Sequence, residues 1–101
     1  MGSSTFYLST SAENASQAFS NLVFEAKHDY GSAGYTGTIA EKEYYTMASS
    51  EPLEISAADS LAANLLNTRY SDKYGPAGCI ELKKEHSAQL KKFLFFGWAA
   101  E

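Results

Sequence analysis

The period of apolar positions changes several times along the chain, and each change marks an expected element. Thr5 to Ser9 (TFYLS), β-branched and aromatic, predicts a short first strand. Ser11 has the side chain of a helix N-cap. Behind it Ala12, Ala15, Phe19, Leu22, Val23 and Ala26 recur at the spacing of one helical face. That helix is expected to end near Asp29 or Tyr30, with Gly31 as the left-handed residue that stops it. Tyr35 to Met47, rich in Thr, Tyr and Ile, predicts a strand. Ala48 to Ile55 reads as a loop around Pro52, with a brief edge strand at Leu53 to Ile55.

The second half repeats the alternation. Ser56 is a second expected N-cap, with Asp59 placed favourably in the first turn. Ala58, Leu61, Ala62, Leu65 and Leu66 form the apolar face of a helix running to about Ser71, and Gly75 and Pro76 forbid its continuation. Cys79 to Lys83 predicts a strand and Glu85 to Leu90 a polar turn. Lys92 to Ala99 (KFLFFGWA) is apolar on both pleat faces, the pattern of an interior strand covered on both sides or at an interface.

The resulting β-α-β-α-β-β order predicts a single α+β domain over residues 1–101. The expected architecture is a two-layer sandwich of about four mainly antiparallel strands with two helices on one face. A ferredoxin-like strand order is one candidate. An internal echo supports two similar units: Asn21-Leu22-Val23 leads to Tyr30-Gly31-Ser32-Ala33-Gly34, as Asn64-Leu65-Leu66 leads to Tyr74-Gly75-Pro76-Ala77-Gly78. The need for Gly where a helix ends explains the echo equally well.

Composition narrows the functions. The 101 residues are 45% apolar and 20% charged, an ordinary globular balance. A net charge of −4, with eight basic residues against twelve acidic ones, lacks the basic stripe of a nucleic-acid module. The acids are spread along the chain and interleaved with Lys, as on a solvated mixed surface. Cys79 is the single cysteine, so no internal disulfide and no Cys-based metal site is expected, which fits a reducing, cytoplasmic compartment. No apolar run is long enough to span a membrane. MGSSTFYLST lacks the basic start and apolar stretch of a signal peptide, and Met1 to Ser4 are given no functional weight.

Few residues offer chemistry. Gly31-x-x-Gly34-x-x-Gly37 follows a helix and enters a strand, the reverse of a phosphate-binding loop, so it reads as a helix stop and a turn. His28 suits the negative end of the first helix, and His86 lies in a polar turn beside Glu85. A lone strand cysteine is ordinarily a small buried residue. Glu41, Glu43 and Glu81 form a carboxylate set only if the strands bring them together. No cofactor, metal or catalytic constellation emerges. The tyrosines stand out, since Tyr30, Tyr35, Tyr70 and Tyr74 flank the two similar turns, with Arg69 nearby. Such a rim stacks a base or anchors a protein partner; packing at the edge of a small core is the competing explanation.

AGYTGTIAEK (Ala33 to Lys42), YGPAGCIEL (Tyr74 to Leu82) and FFGWA (Phe95 to Ala99) together resemble a pattern in small uncharacterised proteins of phages and mobile elements. The resemblance implies action by binding, including interference with host enzymes or sequestration of nucleotide signals, and assigns no residue a role. The functional expectation is therefore a non-catalytic protein-interaction or inhibitor module that binds a protein partner or self-associates, its tyrosine rim and last strand contributing contacts. The alternatives are a small nucleotide-like ligand gripped by Tyr and Arg69, and an enzyme of unknown class.

Overall fold

The segment FLFFGWAA has apolar side chains on both faces and needs cover on both. In the computed structural model, which describes residues 2–31, 34–84 and 89–101, it lies in β4 (Lys91–Ala100), an interior strand. The chain runs β1 (Ser3–Ala12), α1 (Ala15–Tyr30), a 3-10 turn (Ile39–Glu41), β2 (Tyr45–Met47), α2 (Ile55–Leu66), β3 (Ala77–Leu82) and β4. The sheet order is β1-β4-β3-β2. β4 is antiparallel to both neighbours and β2 is parallel to β3. The α+β class, the element order and a mainly antiparallel four-stranded sheet are as expected. The polar turn from Glu85, with His86, falls largely outside the described residues.

The two helices do not share a face, which corrects the two-layer arrangement. Phe93 and Phe95 pack with Phe19, Leu22 and Ala26 of α1, whereas Leu94 and Phe96 pack with Ala58 and Ala62 of α2. The sheet is the middle of three layers. Topology supplies the reason. β1, β2 and β3 all point the same way, so both helices are crossovers between parallel strands. α1 carries the chain from one sheet edge to the other, and α2 brings it back to β3. Crossovers of one hand that travel in opposite directions must lie on opposite faces. Complete burial of each large side chain in β4 contributes about 1.5–3 kcal/mol, and the two-faced run secures that gain only between two layers.

Local differences have local causes. β1 extends from Ser3 to Ala12 because its register with β4 continues as far as Ala12 opposite Lys91. Ser3 and Ser4 are thus part of the sheet, and the cap of α1 moves from Ser11 to Asn14, whose Oδ1 accepts the Gln17 N–H at 2.8 Å. α1 ends as expected, with the Gly31 N–H donating to the Lys27 carbonyl at 2.9 Å. Leu53 forms an isolated bridge to Leu82 and exchanges hydrogen bonds with Glu81 and Lys83. α2 therefore starts at Ile55, ahead of Ser56, with no side-chain cap, and it ends at Leu66 rather than near Ser71. The long strand expected over Tyr35 to Met47 shrinks to Tyr45–Met47, since Thr36 and Thr38 shape the segment before it into a turn.

Two glycines allow aromatic rings to cross the sheet. Gly78 pairs with Phe96 on the α2 side, and Gly97 pairs with Phe6 on the α1 side. A Cβ on Gly78 would overlap the Phe96 ring, and one on Gly97 would sit 2.9 Å from Cζ of Phe6. The Phe96 ring in turn packs edge-on against Tyr70, with centroids 5.1 Å apart. Gly78→Val is expected to destabilise the protein by about 3 kcal/mol through overpacking. Denaturant unfolding checks this, and a loss below about 1 kcal/mol would show that Phe96 is free to move aside.

Candidate functional site

Both helices run back to the end of the sheet where β2 and β3 begin, so all five expected rim residues lie at that end, divided between two layers. Tyr30 is the last residue of α1, and Tyr35 follows it in the turn. Arg69 and Tyr70 follow α2, and Tyr74 precedes β3. Tyr30, Tyr35 and Tyr74 are exposed, but Tyr70 is only 3% exposed. Its hydroxyl shares a 2.8 Å hydrogen bond with that of Thr46, and its ring belongs to the α2-side core. Arg69 stands 5.5 Å from the Tyr70 ring centroid and Lys73 stands 5.3 Å from that of Tyr74. Tyr70 therefore packs as core, and the remaining tyrosines belong to separate segments: Tyr30 to the end of α1, Tyr35 to the turn beyond it, and Tyr74 to the turn before β3.

One of those turns is strongly braced. Glu41 Oε2 accepts from the Thr36 N–H at 3.0 Å and from the Thr36 hydroxyl at 2.7 Å. The Thr38 hydroxyl joins Thr36 at 2.8 Å and caps the 3-10 turn. Burial alone would raise the Glu41 carboxyl. Hydrogen bonds from the Thr36 N–H and hydroxyl and from the Tyr35 N–H, together with the Lys27 charge, outweigh burial and hold it below its ordinary value. The brace holds Tyr35 at φ 58, a conformation that costs a bulky residue energy, with its side chain 67% exposed.

Behind the turn, Lys42 is 4% exposed, and its ammonium donates to the carbonyls of Lys73 at 3.1 Å and Gly75 at 2.8 Å. Burial pulls its pKa down, against the opposing charges of Asp72 and Glu41. Lys42 thus ties the turn after α1 to the turn before β3.

This braced segment forms one wall of a groove of about 660 Å³, and α1 forms the other. Phe19, Val23, Phe24 and Lys27 line it from the helix, and Glu41 and Lys42 from the turn. Phe24 is 75% exposed. Sequence reading passed over Phe24 because it lies off the stripe formed by Phe19, Leu22 and Ala26; an aromatic on the wrong side of an amphipathic helix was itself the available signal. A second groove of about 370 Å³ at the opposite end of the sheet gathers Lys83, Lys84 and Lys92 with Glu54. Neither groove is lined by Tyr30, Tyr35, Tyr70, Tyr74 or Arg69.

The other candidates stay apart or inert. Cys79 is fully buried, and burial, helped by the Glu81 charge, pushes its thiol up to about 12. A nucleophilic thiolate is not accessible there. Glu43 precedes β2 while Glu81 lies near the far end of β3, so the carboxylates do not form a set. Among the described residues no group of three His, Cys, Asp or Glu is placed to hold a metal, and no helix is long and apolar enough to cross a membrane. No known protein family, curated protein or solved structure matches the chain.

Because the folded pKa of Glu41 lies below its unfolded value, the brace is present above the ordinary carboxylate range and is lost as pH falls through the lowered pKa. In an NMR titration, the Thr36 amide shift is expected to follow the Glu41 carboxyl with a midpoint below the ordinary Glu value of about 4.3 and to lose that titration in Glu41→Gln. A Thr36 midpoint at or above about 4.3 would contradict the brace.

Proposed function

We propose that the chain is a non-catalytic protein-binding module that receives its partner in the groove between α1 and the braced Tyr35 turn. One observation supports this above the others: the strongly exposed Phe24 of α1 lines the groove opposite a turn that three hydrogen bonds around Thr36 and Glu41 brace, and that turn carries a second strongly exposed ring, Tyr35, next in sequence to the lining Gly34 and kept at an energetically costly backbone angle. Rigid exposed aromatics lose little entropy on binding and dominate interface energetics. The earlier rim survives in this reading through Tyr35, with Tyr30 nearby in sequence. The two-sided apolar strand does not, because β4 spends both faces inside the fold. Interference with a host enzyme, implied by the resemblance to phage proteins, is one form such binding takes.

A small nucleotide-like ligand is the second reading, favoured by a groove volume within the usual range for such ligands, roughly 300–1,000 Å³. The test uses capture from native extract of the source cell with wild type, Phe24→Ser, Tyr35→Ala and the distant exposed control Leu90→Ser. The reading expects capture of one protein to be weakened about tenfold or more by Phe24→Ser in the groove and by Tyr35→Ala on the turn beside it, and retained by the control. Equal capture by all four would remove the groove as the docking site. Thermal stabilisation by a nucleotide, absent in Phe24→Ser, would favour the second reading instead.

A further inference from the structure

β1 is a sheet edge of ten residues, SSTFYLSTSA, with no charge, no proline and no helix over its α2-side face. Long uncharged edges are usually blunted by charge, proline or a bulge, because they template pairing with another chain. The bonding pattern identifies the open groups. Gly2 and Glu101 exchange both backbone hydrogen bonds at 3.2 Å. Antiparallel bonding pairs alternate, so the even residues of β1 bond to β4. The N–H and C=O groups of Ser3, Thr5, Tyr7, Ser9 and Ser11 point away from the sheet. All five residues are exposed, and none of their backbone groups has a hydrogen-bond partner among the described residues beyond the strand.

The sequence of this edge is a chemical palindrome about Tyr7. Ser3, Ser4 and Thr5 precede Phe6, and Ser9, Thr10 and Ser11 follow Leu8. We propose that β1 pairs antiparallel with β1 of a second copy about a two-fold axis through Tyr7, fusing the two sheets into one. Ser3 then lies opposite Ser11, Thr5 opposite Ser9, and Tyr7 opposite its own copy, closing about ten outward-facing backbone hydrogen bonds. Between them Ser4 meets Thr10, and Phe6 meets the exposed Leu8. Every cross-strand pair joins like chemistry, hydroxyl with hydroxyl and apolar with apolar. A heterologous peptide would need no such symmetry, whereas an isologous contact does. A chain of net charge −4 meets its copy along this edge without opposing charges.

Size-exclusion chromatography with light scattering, across a concentration series, tests the proposal. Wild type is expected at twice the 11.0 kDa chain mass at high concentration. Tyr7→Lys, which sets two ammonium groups face to face, and Ser9→Pro, which removes an outward N–H while sparing β4 pairing, are expected as folded monomers. Register is read separately, since mild oxidation should link Tyr7→Cys to its copy but leave Ser11→Cys unlinked, and buried Cys79 does not interfere. A wild type monomeric throughout would overturn the proposal, as would a dimer that survives both edge substitutions. Linking of Ser11→Cys but not Tyr7→Cys would overturn the register. A monomer whose edge takes up an extended peptide would overturn the second copy as occupant. None of these readouts involves the groove, so its failure and this one are separable.

Discussion

Phe93, Leu94, Phe95 and Phe96 are consecutive, large and buried, and a pleated strand sends them alternately to opposite faces. That constraint governs the rest of the molecule. It places β4 inside the sheet, demands a helix on each side, and leaves β1 as the long outer edge. The α1 face gathers Phe19, Tyr45 and Phe95 into an aromatic cluster with centroids 5.1–5.7 Å apart. The α2 face sets Tyr70 against Phe96 and fixes the end of α2 through the Trp98 N–H, which donates to the Leu66 carbonyl at 2.8 Å. Glycines at 78 and 97 let the opposing rings lie flat across the strands.

A small domain of this kind has little surplus core, so what it leaves exposed is informative. The groove by α1 and the β1 edge lie on different parts of the molecule and differ in chemistry. One presents the exposed ring of Phe24 beside a braced turn, and the other presents bare backbone on a hydroxyl-rich strand. A protein that pairs through its edge would display two grooves, and an interaction module with two such sites would gain avidity for a symmetric partner.

Element types were legible in the sequence wherever periodicity ran long, as in both helices and the last two strands. Boundaries failed where pairing decided them: β1 is extended by its partner strand, and α2 is started by the Leu53 bridge. Helix placement failed although FLFFGWA already called for two covering layers, because the face of a crossover depends on strand order, which no local pattern records. The Tyr35 turn misread as strand because Thr, Tyr and Ile favour extended backbone unless hydroxyls are recruited by a carboxylate such as Glu41. Of the candidate site, Tyr35 was visible from the sequence. Tyr70 was hidden by its tertiary contact with Phe96, and Phe24 was discounted for lying off the apolar stripe.

Nuclear Overhauser contacts of the two adjacent rings, Phe95 and Phe96, test the three-layer arrangement most directly. The account predicts that Phe95 contacts Phe19 and Tyr45, that Phe96 contacts Tyr70, and that neither ring contacts the other's set. Contacts from both rings to α1 would place the helices on one face and contradict it.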